Sequence, residues 1–238
     1  MTSAIQTQWT NVATPDGEMA AYLCRPPAGH GPGLVLLQEI FGVNEHIQAV
    51  AEQYALAGFV VLAPDVFWRQ APRVELGYVG DDRQRAFGLM QGLKPDQTLA
   101  DLQATVRALR SIEGVGPKVG AIGYCMGGRL AYTAAALAGV DAAVAYYGGG
   151  IHAQLQLAAQ INCPMQFHFA GHDEHIPPEA VAAVSQAFDG RDATVFTYPG
   201  AMHGFNCWAR AAYHAPSAAL ALGRSLQFLA GALFAQAT

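Results

Sequence analysis

Apolar residues in this chain fall into short, nearly unbroken runs, separated by longer stretches where they return every three or four positions. The short runs cover residues 34–38, 60–63, 119–123, 142–147, 165–170 and 194–197. Too short for helices and lacking a polar alternate face, they predict strands of a parallel sheet covered on both sides. Amphipathic stretches at 46–57, 98–112, 127–137, 178–188 and 217–234 predict helices between them. Pro177-Pro178 suits a helix start, because proline lacks the N–H that a first turn leaves unpaired. At the front, 6–13 and 18–24 flank Pro15-Asp16-Gly17, a hairpin signal. The segment 67–93 is irregular up to a helical 81–93 and is a candidate cap or pocket wall. An antiparallel hairpin followed by alternating strands and helices predicts an α/β fold, with a mostly parallel central sheet and helices on both faces.

No internal repeat, heptad pattern or low-complexity linker interrupts this alternation, so residues 1–238 read as one domain. Hydrophobic residues make up 52% of the chain and charged ones 13%, roughly half the charge of an average soluble domain, which excludes a disordered polymer. The 13 Lys+Arg against 18 Asp+Glu give a net charge of −5 without any basic run. Nucleic acid and anionic membrane are therefore not expected partners. The long uncharged segment starting at Ala142 contains Gly148-Gly149-Gly150, Asn162 and Pro164, which make it a poor membrane span. The opening MTSAIQTQWT lacks the basic and apolar stretches of a signal peptide. Cys24, Cys125, Cys163 and Cys207 form no CxxC pair. Four free thiols in a reducing cytoplasm are the expectation.

The most informative segment is 119–129, VGAIGYCMGGR. A strand runs into Gly123-Tyr124-Cys125-Met126-Gly127 and a helix opens at Gly127, giving a G-x-C-x-G turn of the nucleophile-elbow type. Such a turn is so tight that the residues two before and two after the nucleophile must be small, while the nucleophile takes a strained backbone. Cys125 is thus expected at a helix N-terminus, where the dipole favours thiolate, with the Met126 N–H facing a developing oxyanion. A small buried thiol in a Gly-rich turn is the plainer reading. The residues that follow favour chemistry.

The predicted strand at 165–170 leads into Gly171-His172-Asp173-Glu174-His175, and the one at 194–197 leads into a loop carrying His203. Open α/β sheets place ligand sites in such loops, beyond the carboxyl ends of strands. Nucleophile, acid, histidine is the chain order of α/β-hydrolases, which makes His203 the base for Cys125 and Asp173 its orienter. Glu174, Glu179 and Asp192 are rival orienters, though only Asp173 ends a strong strand directly. His168, His172 and His175 spell H-x3-H-x2-H, a conceivable zinc set. One of the three lies within a strand, and no metal ligand is assigned.

Taken together, these residues resemble the dienelactone hydrolase (carboxymethylenebutenolidase) family of the α/β-hydrolase superfamily over nearly the whole chain. The resemblance rests on Gln38-Glu39-Ile40-Phe41-Gly42, Gly123-Tyr124-Cys125-Met126-Gly127-Gly128, Tyr146-Tyr147-Gly148, Gly171-His172-Asp173 and His203-Gly204-Phe205. It implies a triad of Cys125, Asp173 and His203, and a second oxyanion donor at the Ile40 N–H. It also implies that Glu39 contacts the resting thiol and moves when substrate binds. On its own, a charged residue ending an apolar strand points to function or to a salt bridge with a nearby arginine. The family's substrate carries a carboxylate held by arginines, and Arg85 matches the position of one. Where the second is expected, four residues past the histidine, Cys207 stands, and Arg210 is the candidate replacement. Tyr146 joins them as a substrate contact. Leu89 and Gly92 occupy positions that are aromatic in the family, which implies a wider pocket. No metal or organic cofactor is implied.

The expectation is a cysteine-dependent hydrolase of a small lactone or carboxylic ester, with a small molecule as its partner and a monomeric or weakly self-associating chain. A carboxylesterase or thioesterase for uncharged acyl groups is the alternative within that class. A metal-dependent hydrolase and a non-catalytic binding module stand outside it.

Overall fold

In the computed structural model, residues 4–234 are described, so both ends of the predicted 1–238 domain lie outside the described residues. The front hairpin joins β1 (Gln6–Thr14) to β2 (Gly17–Arg25), and Thr14 Oγ1 donates to the Gly17 carbonyl at 2.9 Å across the turn. There follow β3 (Gly31–Leu37), β4 (Val60–Pro64), β5 (Val115–Tyr124), β6 (Ala142–Tyr146), β7 (Met165–His172) and β8 (Ala193–Met202). All eight strands form one sheet in the order β1-β2-β4-β3-β5-β6-β7-β8. The β1/β2 and β2/β4 pairs are antiparallel, and every other pair is parallel. Every residue of β4 and β6 is buried, which is why both read as continuous apolar runs.

Among the described residues, six α-helices cover the sheet: α1 (Glu45–Leu56), α2 (Gly80–Gln91), α3 (Pro95–Ser111), α4 (Met126–Leu137), α5 (Pro178–Ala187) and α6 (Ala215–Leu233). Asn44 caps α1 by accepting from the Ile47 N–H at 3.3 Å, and prolines open α3, α5 and α6. The path from β3 to β4 steps one way across the sheet, whereas β4 to β5 steps back over β3. Right-handed crossovers in opposite directions put α1 and α3 on opposite faces. On one face Leu109 of α3 lies against Gly33, and on the other Leu233 of α6 lies against Gly120.

Several boundaries differ from the sequence reading, β8 most of all, which runs on to Met202 beside His203 rather than ending at 197. β5 starts at Val115 because Gly31 pairs with it across a register irregularity. Residues Ile151–Gln160, assigned to no element beforehand, form a 3₁₀ stretch after Gly150. Among the described residues, no helix is long and apolar enough to cross a membrane. The reversal of direction leaves a switch point between β3 and β5, and the loops after both strands meet there.

Candidate active site

The turn between β5 and α4 is set by close contacts that only glycine permits. A Cβ on Gly123 would lie 2.0 Å from the Gly127 carbonyl oxygen, and one on Gly127 would lie 2.1 Å from that of Leu37. Between them Cys125 adopts φ 56°, ψ −117°, a backbone region that costs a side-chain-bearing residue about 1–3 kcal/mol. Its N–H donates to the Tyr146 carbonyl at 3.0 Å, so the neighbouring strand holds the strained residue in place. Cys125 is half-buried, immediately before α4, and Met126 is the first residue of that helix. The Met126 N–H therefore has no carbonyl of its own helix to bond.

His203 Nε2 lies 3.1 Å from Cys125 Sγ, while its Nδ1 faces Asp173 Oδ2 at 2.8 Å and Oδ1 at 3.1 Å. The Asp173 side chain is fully covered, and its Oδ1 also accepts the His175 N–H at 2.9 Å. The rings of Tyr147 and His175 pack edge-on against His203, with centroids 5.1 and 4.9 Å away. Burial works against a charged ring, but Cys125 and the hydrogen-bonded Asp173 outweigh it and push the His203 imidazole up to about 10. A thiol, an imidazole and a carboxylate in this line can move a proton from sulfur to nitrogen and keep the resulting charges paired.

A cavity of about 250 Å³ opens over Cys125, bounded by Ile40, Phe41, Met126, Phe87 and Met90, with His203 and His175 on its wall. The segment 67–93 reaches it through α2. Two sequence assignments change here. Arg85 is exposed and does not line the cavity, whereas Arg83 does, because Arg83, Phe87 and Met90 share one stripe of α2. Leu89 instead turns into the core, so Phe87 gives the wall an aromatic face. Tyr146 is buried behind the elbow, bonded through its hydroxyl to Ser225 Oγ at 2.8 Å, and is not among the residues that line the cavity. Arg129 and His175, singled out for no substrate role in the sequence, do line it. Arg129 follows Cys125 by one helical turn, a spacing that could have revealed it.

Glu39 ends β3's apolar run fully buried, and its Oε1 accepts from Arg210 Nη1 at 3.2 Å. The salt-bridge reading of Glu39 is the one realised. Burial raises its carboxyl above the ordinary range, and Arg210 and His203 pull it back. Its Oε2 has no hydrogen-bond partner among the described residues. Arg210 also lies over the rings of Phe41 and Tyr78, at 5.6 and 5.8 Å, and reaches the cavity wall. His168 does not join His172 and His175. It is buried within β7, with Tyr198 Oη at 2.7 Å from Nδ1 and Gln166 Oε1 at 2.9 Å from Nε2. No group of three or more His, Cys, Asp or Glu among the described residues is arranged to hold a metal ion.

The chain as a whole is similar to known proteins. A carboxymethylenebutenolidase of Pseudomonas putida is 35% identical over 228 residues, covering 94% of this chain and 96% of its own. Carboxymethylenebutenolidase 1 of Cupriavidus pinatubonensis is 31% identical over 216 residues, covering 90% and 92%. Among solved structures, a proposed dienelactone hydrolase from Klebsiella pneumoniae superposes with a TM-score of 0.83 at 30% identity, covering 96% of this chain and 99% of that one. The sequence model of the dienelactone hydrolase family matches residues 19–233, from the second strand of the hairpin to the end of α6. With α/β-hydrolase topology, helices on both faces and near-complete mutual coverage, this chain belongs to the dienelactone hydrolase family.

Proposed function

We propose that this protein hydrolyses a small lactone or carboxylic ester bearing a carboxylate, with Cys125 as nucleophile. The Cys125 thiolate attacks the carbonyl carbon, and the N–H groups of Ile40 and Met126 receive the oxyanion, each such donor being worth about 3–4 kcal/mol. Collapse of the tetrahedral intermediate expels the alkoxide or enolate, which takes up the proton held by His203, and leaves a neutral imidazole and a thioester on Cys125. Water gives a proton to His203 and attacks the thioester, and the acid departs as the thiolate re-forms. Asp173 holds the imidazole in the tautomer both steps need. Arg210 and Arg83 take the substrate carboxylate, and Glu39 acts as a positioning residue by holding Arg210 against the cavity.

The observation that carries this reading is the 3.1 Å approach of His203 Nε2 to Cys125 Sγ, with Asp173 behind it at 2.8 Å. Cationic side chains on the cavity wall favour an anionic substrate over an uncharged one. The test is steady-state hydrolysis of dienelactone and of neutral aryl esters by wild type and Cys125→Ser, with intact-protein mass spectrometry of rapidly quenched reactions. An acyl adduct on Cys125 and a large loss of rate in the serine variant are expected. Equal rates in both proteins on every substrate would contradict the mechanism.

A further inference from the structure

We propose that Arg129 is a second anion anchor, so that the substrates this site prefers carry two acidic groups, one on either side of the reacting carbonyl. The inference rests on Cys125 being the nucleophile and extends that reading to the class of substrate.

Three guanidinium groups, those of Arg83, Arg129 and Arg210, line the cavity, and no carboxylate side chain does. They differ in how they are matched. Arg210 is paired with Glu39, and Arg83 stands exposed to solvent. Arg129 is half-buried, yet its guanidinium makes no ion pair and no hydrogen bond with any described residue; only its backbone is engaged, the N–H donating to the Cys125 carbonyl at 3.3 Å and the carbonyl accepting from Thr133 Oγ1 at 3.1 Å. Asp96, which shares an adjoining cleft with it, is not within ion-pair distance. A guanidinium carries five N–H donors, and withdrawing them from water without a partner is costly unless a ligand supplies acceptors.

Its position is also fixed. Gly150 follows β6 with φ 86°, and a Cβ there would lie 3.1 Å from Arg129 Nη1 and 3.4 Å from its Cδ. The bare backbone of Gly150 thus makes a shelf on which the arginine lies. That shelf stands beyond β6, whereas Glu39, which holds Arg210, stands beyond β3. Cys125 ends β5, the strand between them. Neighbouring strands lie about 4.8 Å apart, so the strands that lead to the two anchors stand roughly 10 Å apart, with the strand that carries the nucleophile between them. The cavity of about 250 Å³ falls below the usual range for drug-sized ligands and suits the ester or lactone of a short dicarboxylic acid.

The test compares three nitrophenyl esters: 4-nitrophenyl acetate, with no free carboxylate; 4-nitrophenyl monosuccinate, with one, on the acyl side; and the monosuccinate of 4-hydroxy-3-nitrobenzoate, with a second on the leaving group across the reacting carbonyl. Nitrophenolate release is followed for wild type, Arg129→Gln, Arg129→Lys and Cys125→Ser. The ratio of kcat/KM for the two-carboxylate ester to that for the one-carboxylate ester should fall about tenfold or more in Arg129→Gln, the size expected for losing a charged hydrogen bond. The fall should lie in KM, and Arg129→Lys should recover part of it. A ratio that stays within about twofold of wild type, or falls through kcat alone, overturns the assignment of Arg129 while Cys125-dependent cleavage persists. Absence of Cys125-dependent release from all three esters overturns the nucleophile reading and this one with it.

Discussion

Replacing Cys125 with alanine should lower the pKa of a histidine 78 positions further along the chain. In the intact site the His203 ring sits at about 10 against an ordinary 6.5. At 1.36 kcal/mol per tenfold step, that gap corresponds to roughly 5 kcal/mol in favour of the protonated ring. Burial opposes the shift, and Cys125 leads the groups that raise it, followed by Asp173. Without the thiol, burial remains and only the 2.8 Å bond to Asp173 counters it. A single opposite charge at that range lifts a pKa by about 1–3 against the opposing burial, so His203 in Cys125→Ala should titrate well below its value in the intact site. Nuclear magnetic resonance of the His203 Cε1–H across pH, in wild type and in the alanine variant, measures this directly. The sign for stability follows. A folded pKa above the unfolded value stabilises fully below pH 6.5, and the contribution is lost as pH rises through about 10. Urea midpoints of the two proteins should therefore converge across that window. A His203 that titrates at the same pH in both proteins would refute the pairing of imidazole and thiol.

Three further outcomes can be checked. Gly127→Ala places a methyl group 2.1 Å from the Leu37 carbonyl oxygen, backbone against backbone. Overpacking of this kind costs about 3 kcal/mol, so calorimetry should show Tm falling by roughly 6–12 °C; an unchanged Tm would mean the elbow is not tight. Arg210→Met strands the buried Glu39 carboxylate and should cost about 3–5 kcal/mol by urea unfolding, and adding Glu39→Gln should return most of that stability without returning activity. On an ester with one carboxylate, Arg83→Gln should raise KM several-fold while Arg85→Gln leaves it unchanged, since only the former lines the cavity; the opposite pattern would reverse the assignment of α2's faces.

The sheet was readable because burial on both faces leaves no polar alternate positions: β4 and β6 are apolar throughout and show it in sequence. The elbow was readable for a steric reason, since two carbonyl oxygens sit where the β-carbons of Gly123 and Gly127 would be. The meeting of Cys125, Asp173 and His203 followed from loops that all lie beyond carboxyl ends of parallel strands. The arginines were a harder matter. Arg83, Phe87 and Met90 are spaced identically to Arg85, Leu89 and Gly92, so both are equally good helical stripes. Only the docking of α2, with Ala86 and Leu89 turned into the core, decides which stripe meets the cavity. Glu39 was ambiguous in the same way, because its partner arrives from 171 residues away. Tyr146 misled because a motif records neighbours in sequence, whereas its side chain points behind the elbow to Ser225.

The order in which the pieces occur along the chain has a consequence during synthesis. Cys125 leaves the ribosome well before His203, and their strands, β5 and β8, are separated in the sheet by β6 and β7. A growing polypeptide thus carries an ordinary cysteine until the final parallel strand docks on β7. The His203 imidazole reaches it only then. On the proposed mechanism, vectorial translation, N-terminus first, would therefore leave the sulfur without its base while other nascent chains are nearest, and complete the pair only when almost the entire polypeptide has been made.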